Sequence, residues 1–284
     1  MKLSRSSNDD MTTYSPKEYW TGLAENDHSD DATGFSSVLH PKAPAWFNRL
    51  IDELQFRAFR RALALAKVPA GSRALDVGCG TGRWVRRYEE IGFRATGVDA
   101  TASMLRLARR SGTIAPLAAG EAFRLPFADA TFDFVSDVTV VQHILPPLQP
   151  QALGEMMRVL KPGGRLVLIE LIRGKDDHIF PRKPQDWIGQ VTSLGAKLIR
   201  WFGQEFLLPD RLFVLLAQTV AGRNGSREGG ASSAEPPAPK VPVARRLYWT
   251  LRHITAPLSA WTDPIVEKVC PAQLATHGVF IFQK

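Results

Sequence analysis

The most informative segment of the chain is Ala74-Leu75-Asp76-Val77-Gly78-Cys79-Gly80-Thr81-Gly82-Arg83-Trp84. An apolar strand runs directly into Gly-x-Gly-x-Gly, and helical sequence follows. Glycines at such a turn let the backbone bend sharply and approach a ligand with no Cβ between them. The first N–H groups of the next helix are left free for a polar or anionic ligand. About twenty residues further on, a second strand ends in Gly97-Val98-Asp99. A carboxylate at that place can accept hydrogen bonds from both hydroxyls of a ribose.

Outward from this loop, short apolar strands alternate with helical stretches. Strands are expected at 73–77, 94–99, 132–137, 165–170 and 197–201, and helices at 101–110 and 151–160. Such alternation implies a parallel sheet covered on both faces. Lys161-Pro162-Gly163-Gly164 reads as a helix stop and tight turn before a strand. Upstream, Trp46, Phe47, Leu50, Ile51, Leu54, Phe59, Leu63 and Leu65 recur at helical spacing within 44–70. Residues 221–240 are rich in Gly, Ser, Ala and Pro and are expected to form a disordered loop. Gly278–Phe282 is a further strand candidate.

The organisation expected is therefore a mobile acidic lead-in (1–43), a core (44–203), an insertion (204–276) and a final strand of the core (277–284). Residues 1–31 hold three basic and seven acidic side chains, so the head carries −4 and the remainder +12 of the net +8. A basic body can attract nucleic acid, anionic lipid or a phosphorylated substrate. With 44% hydrophobic and 23% charged residues among 284, disorder throughout, collagen and coiled coil are excluded. No run of about 18 uncharged apolar residues occurs, and the first residues carry no apolar signal segment. Two cysteines, Cys79 and Cys270, fit a reducing cytosol and exclude a disulfide scaffold or a cysteine metal site. No metal is expected.

Three details separate the glycine loop from that of dinucleotide enzymes. Its spacing is G-x-G-x-G, Asp76 lies inside the strand, and Gly120-Glu121-Ala122-Phe123-Arg124-Leu125-Pro126-Phe127 follows later. LDVGCGTGRW, TGVDAT, GEAFRLPFADATFDFV, VVQHI and LKPGGRLVLIE occur in order across 73–170. In these segments the chain resembles the class I S-adenosylmethionine-dependent methyltransferases of small-molecule type. The resemblance implies an α/β, Rossmann-like sheet of seven mostly parallel strands with helices on both faces. A helical lead-in would precede it, and a helical insertion would precede an antiparallel last strand, Gly278–Phe282.

The resemblance also implies roles. S-adenosylmethionine would be the cofactor. Gly78, Cys79, Gly80 and Gly82 would form the loop under its methionine part, with Cys79 a small buried filler and not a nucleophile. Asp76 would orient that loop or meet the cofactor ammonium. Asp99 would hold the ribose hydroxyls, Ala100 and Met104 would line the adenine, and Glu121 and Ala122 would meet its edge. Val138 or Thr139 would lie beside the sulfonium.

Methyl transfer needs alignment of the acceptor and, for a hydroxyl, removal of a proton. His143, after the fourth strand, suits a base by its ordinary pKa. Glu170 closes the fifth strand and reads either as a substrate contact or as a loop anchor. Asp137, inside the fourth strand, can instead serve the backbone. Tyr14, Tyr19 and Trp20 in the lead-in, and His178 and Arg182 after the fifth strand, are candidates for gripping the acceptor. The acceptor expected is a small or glycan-like molecule methylated on oxygen. Nitrogen, carbon or sulfur acceptors, a further reaction such as cyclisation, and a non-catalytic cofactor-binding scaffold are the alternatives.

Within 240–261, Lys240, Arg245, Arg246 and Arg252 are interleaved with Leu247, Tyr248, Trp249, Leu251, Ile254, Leu258 and Trp261. Such a stretch can lie in a membrane interface. The other reading is a helical subdomain that packs on the core or forms a homodimer. No RNA-binding module is visible, and an Asn-Pro-Pro-Tyr type motif is absent after the fourth strand, so a nucleic-acid partner is not expected. The placement expected is cytoplasmic, with peripheral contact at a membrane.

Overall fold

A computed structural model describes residues 14–26, 39, 43–174, 178–213 and 242–284, with the side chains of 242–247 outside the description. Helix α1 (Pro16–Glu25) precedes α2 (Ala45–Ala66), β1 (Arg73–Val77), α3 (Arg83–Glu90), β2 (Arg94–Asp99), α4 (Ala102–Arg110) and β3 (Leu117–Ala119). Then come β4 (Phe132–Val138), a 3₁₀ turn (Val141–His143), α5 (Gln149–Val159), β5 (Leu160–Leu171), α6 (Pro184–Ser193) and β6 (Lys197–Gln204). The chain closes with α7 (Pro242–Val269) and β7 (His277–Gln283). The seven strands form one sheet in the order β3-β2-β1-β4-β5-β7-β6. Strands β1 to β5 pair in parallel, and β7 lies antiparallel between β5 and β6. This is the Rossmann-like sheet implied by the resemblance, with Gly278–Phe282 inside its last strand.

The centre of the sheet is apolar on both sides. Leu166, Val167, Leu168 and Ile169 of β5 are all fully buried, as a strand covered on two faces requires. Leu153 and Met156 of α5 and Trp187 and Val191 of α6 pack on one face. Phe59 and Ala62 of α2 and Trp84 and Tyr88 of α3 pack on the other. Helix α2 buries Phe47, Ile51, Leu54, Ala58 and Ala62, a helical repeat, and ends where Lys67 turns left-handed two residues before Pro69. Strand β5 begins at Leu160, earlier than expected. Pairing jumps from Phe132↔Leu160 to Phe134↔Arg165, so Lys161–Gly164 form a bulge inside the strand, with Gly163 at φ +76°.

The lead-in differs from the sequence reading, and the insertion is helical as expected. Residues 16–25, within the expected mobile lead-in, are a packed helix. Ser15 caps it by accepting from the Glu18 N–H (3.4 Å), Pro16 stands in its first turn, and Trp20, Leu23 and Ala24 pack on Met104 and Leu107 of α4. Among the described residues the insertion supplies a helical stretch at 208–213 and the long helix α7. Its Ala256 and Ala260 pack on Phe47, Ile51 and Leu54 of α2. The expected loop at 221–240 lies outside the described residues.

Candidate functional site

A cavity of about 390 Å³ opens at the carboxyl ends of β1, β2 and β4. Parallel α/β sheets place ligands at this edge, where strand order reverses. Gly78 and Gly80 form its floor at φ +68° and +50°. A Cβ at Gly78 would collide with the methyls of Val140, so only glycine fits there. Gly82 has another task. It stands at the start of α3, outside the cavity lining, and a Cβ there would meet Thr113 and Ala108.

Asp99 ties the loop to the second strand. One carboxylate oxygen accepts from the Gly80 N–H and the other from the Thr101 N–H, both at 2.8 Å. Burial raises its pKa, and these two bonds oppose the rise. Ala100, Met104, Glu121 and Ala122 line the adjoining wall, and Val138 and Thr139 line the β4 side. Cys79 lines the cavity as a buried thiol, its pKa raised by burial. Asp76 lies beneath the loop and not in the lining. It is 1% exposed, burial raises its pKa against the lowering by Arg83, and its Oδ2 has no partner among the described residues. Trp84 Nε1, from a ring on the cavity wall, also lacks one.

Glu170 and Asp137 are fully buried, and neither lines the cavity. Glu170 Oε1 accepts from the N–H groups of Val140 (3.1 Å) and Val141 (2.9 Å), and Oε2 from Gln142 (3.0 Å). Asp137 Oδ1 also accepts from Val140 N–H (3.1 Å). The two carboxyls lie against each other. Burial, then the partner's charge, raises Glu170, and burial raises Asp137 to about 7, so the pair retains a proton near neutrality. Of the two sequence readings of Glu170, this geometry is that of a loop anchor.

His143 hangs from the anchored turn into the cavity. Its Nδ1 faces the His178 carbonyl at 3.1 Å, and its Nε2 faces Gln142 Nε2 at 3.3 Å. The Gln142 oxygen accepts from Leu171 N–H (2.7 Å), so the amide presents its NH₂ to the ring. That arrangement puts the proton of neutral His143 on Nδ1 and its lone pair on Nε2. Burial, then the neighbouring His178, lowers its pKa to about 3.

The lead-in helix closes the mouth. Ser15, Lys17 and Trp20 line the cavity, and Trp20 stands edge-on to His143, ring centres 5.1 Å apart. Tyr19 stacks on His178 at 4.4 Å and its hydroxyl meets His178 Nε2 at 3.1 Å. Tyr14 donates to the His143 carbonyl (3.2 Å) and packs on Phe180. Residues more than about 120 apart in the sequence thus meet in one aromatic cluster. Arg182 does not join it. Its guanidinium bonds Gln149 and the Pro146 carbonyl and lies over Trp187. Lys17, Arg83, Trp84 and Leu148 line the cavity without having been singled out. Only Arg83 and Trp84, directly after the glycine loop, carried a sequence signal. Among the described residues, no group of three or more His, Cys, Asp or Glu is placed to hold a metal ion.

A family model described as a methyltransferase domain matches residues 75–168. Demethylmenaquinone methyltransferase of Renibacterium salmoninarum is 38% identical over 125 residues, 43% of this chain and 52% of that protein. Malonyl-[acyl-carrier protein] O-methyltransferase of Pectobacterium atrosepticum is 35% identical over 43% of this chain and 47% of that protein. The chain thus spans about half the length of these relatives. A ubiquinone/menaquinone biosynthesis C-methyltransferase of Cupriavidus taiwanensis is 26% identical over 71% of this chain and 88% of that protein. Among solved structures, a chain from the complex of the Haloferax volcanii Trm112 methyltransferase activator with a methyltransferase has the same fold. Its TM-score is 0.53 at 14% identity, covering 90% of this chain and 98% of that one.

Proposed function

We propose that this chain, which carries a class I S-adenosylmethionine-dependent methyltransferase domain, moves a methyl group from that cofactor to a small-molecule acceptor. One observation carries the reading: a glycine turn that admits no side chain at Gly78 and a ribose-type carboxylate border one cavity, which opens on an aromatic cluster. These features fit S-adenosylmethionine. Gly78, Cys79, Gly80, Asp99, Ala100, Met104, Glu121, Ala122 and Val138 would hold it, and Asp76 and Gly82 would support the loop from beneath. When bound, the cofactor supplies a methyl group on a sulfonium, already activated for in-line displacement.

The chain's own task is alignment and exclusion of water. Trp20, Tyr14, Tyr19 and His178 would roof the acceptor. Asp137 and Glu170 would act as positioning residues that fix the turn bearing His143. A buried histidine with pKa about 3, its lone pair facing Gln142, is a weak base. The acceptor must therefore bring its own nucleophilicity. An acidic hydroxyl, such as an enol or phenol, fits the oxygen reading. An electron-rich ring carbon is the second reading, favoured by the names of the menaquinone-pathway relatives. The wall formed by Phe123, Ile144, Leu145 and Leu148 suits an apolar body over a glycan-like one. Cytoplasmic placement with peripheral contact at a membrane through 240–261 completes the reading. A homodimer is the other use for that segment.

The test incubates the protein with methyl-labelled S-adenosylmethionine and host extract, then separates aqueous, lipid and macromolecular fractions. Label in a low-molecular-weight product, aqueous or lipid-soluble, is the expected result. Label confined to macromolecules, or no transfer despite measured cofactor binding, would overturn the reading, the latter in favour of a scaffold.

A further inference from the structure

Helix α7 has two unlike faces. On the inner one, the Arg252 guanidinium bonds Asp210 (2.6 Å), both side chains 3% exposed, and lies 4.4 Å over the Phe47 ring. Asp263 accepts from the N–H groups of Phe206 (3.0 Å) and Leu207 (2.9 Å). Pro264 can donate nothing to the carbonyl four residues back, Ala260, and Arg57 of α2 donates to that carbonyl instead at 3.3 Å. His253 stacks on Trp46 at 4.6 Å. Arg252 and Asp263 are thus turned to the protein.

The outer face carries an apolar stripe, with His253 exposed at its edge and Lys268 near its end. Leu251, Ile254, Pro257, Leu258, Trp261, Pro264, Ile265 and Val269 are exposed, Trp261 to 73% and Val269 to 76%. From 251 to 269 it is about 27 Å long at 1.5 Å per residue. A surface helix of a globular protein ordinarily turns such a stripe inward.

Its width selects the occupant. Leu251, Ile254, Pro257, Leu258, Trp261, Pro264 and Ile265 put three apolar residues in each seven, whereas a two-helix seam between copies uses two. A stripe this broad fits a planar apolar medium. Its charge is complementary to an anionic one. Lys268 is exposed at the helix end, Arg57 and Arg61 flank the helix on α2, and Glu267 is engaged by Arg61. Arg245 and Arg246 precede the stripe in the sequence, and the whole chain carries +8. No helix among the described residues is long and apolar enough to cross a membrane. An in-plane helix with aromatic and aliphatic residues on one side and cations at its borders binds at the headgroup boundary.

We propose that the outer face of α7, from Leu251 to Val269, docks this protein in plane on an anionic lipid surface. Trp261 and Ile265 are buried among the acyl chains, and Arg57 and Lys268 lie at headgroup level. The inference gives residues and orientation to the peripheral contact proposed above. Its test reads lipid binding alone, so it stands or falls separately from methyl transfer.

The test is flotation of the full chain with vesicles of phosphatidylcholine containing about one third phosphatidylglycerol, beside vesicles of phosphatidylcholine only. The double variant Trp261→Ser, Ile265→Ser changes exposed side chains and is expected to melt at the wild-type temperature. Wild-type protein should float with the anionic vesicles, bind the neutral ones more weakly and shift its tryptophan emission to the blue. The double variant should bind at least tenfold more weakly. Absence of wild-type binding at millimolar lipid, or equal binding by the variant, would overturn the proposal. So would a wild-type dimer that ignores vesicles and dissociates in the double variant, which would make a second copy the occupant.

Discussion

Replacing Glu170 by alanine removes the acceptor of three backbone N–H groups in one step. Val140 retains a second acceptor, Asp137 Oδ1 at 3.1 Å. Val141 and Gln142, both buried, are left with none. A buried donor stripped of its partner costs about 1–3 kcal/mol, so the two sum to roughly 2–6 kcal/mol. That is a large share of the about 5–15 kcal/mol by which a domain is ordinarily stable. With about 2–4 °C per kcal/mol in a chain of this size class, melting should fall by roughly 4–24 °C. Glutamine at the same place keeps one oxygen for Val140 and Val141 and turns an NH₂ toward the Gln142 N–H. It should lose about 1–3 kcal/mol, less than alanine. Thermal unfolding followed by circular dichroism measures both. A Glu170→Ala protein melting within about 2 °C of wild type would refute the anchor. So would a glutamine variant less stable than the alanine one.

Asp99→Ala should weaken S-adenosylmethionine binding at least tenfold by calorimetry, and unchanged affinity would remove Asp99 from the ribose role. Asp137 has its folded pKa raised to about 7 from an ordinary value of about 3.9. Its contribution is therefore full below about pH 4 and lost as pH rises through about 7. Relative to Asp137→Asn, wild-type protein should lose melting temperature between pH 5 and pH 8, by at least about 2 °C. His143, lowered to about 3, runs the other way, losing its contribution as pH falls below about 6.5, but it is common to both proteins and cancels in the difference. A pH-independent difference would deny the shared proton. Arg252→Met leaves Asp210 charged and unpaired in the interior and should destabilise by about 3–5 kcal/mol in denaturant unfolding. A loss under about 1 kcal/mol would show that α7 is not held by this pair.

The sheet was legible in the sequence because each strand signal is local. The run into Gly78, the Asp99 ending and the Gly278–Phe282 run are each patterns of a few residues. The glycine loop and Asp99 were legible for the same reason. Glu170 and Asp137 were not separable from catalytic acids by sequence. Their role depends on whether the carboxyl turns to the cavity or to the N–H groups of 140–142, and that is set by the β4–β5 register. Helix α1 was missed because its apolar face, Trp20, Leu23 and Ala24, is short and has meaning only against Met104 and Leu107. Arg252 looked like one more surface cation, since its partner Asp210 stands 42 residues away. The first part of the stripe on α7, Leu251 to Trp261, was legible as an amphipathic stretch, and its continuation to Ile265 and Val269 was not. Arg252 and Asp263 dilute its composition, and only the fold shows both turned inward.

The most direct single measurement is a calorimetric titration of the full chain with S-adenosylhomocysteine, beside a Gly78→Val variant confirmed to melt cooperatively. Wild-type protein should show one saturable site, and the variant none, because the new side chain would occupy the cavity floor against Val140. No binding by wild type at millimolar ligand, or equal binding by both proteins, would contradict the cofactor site.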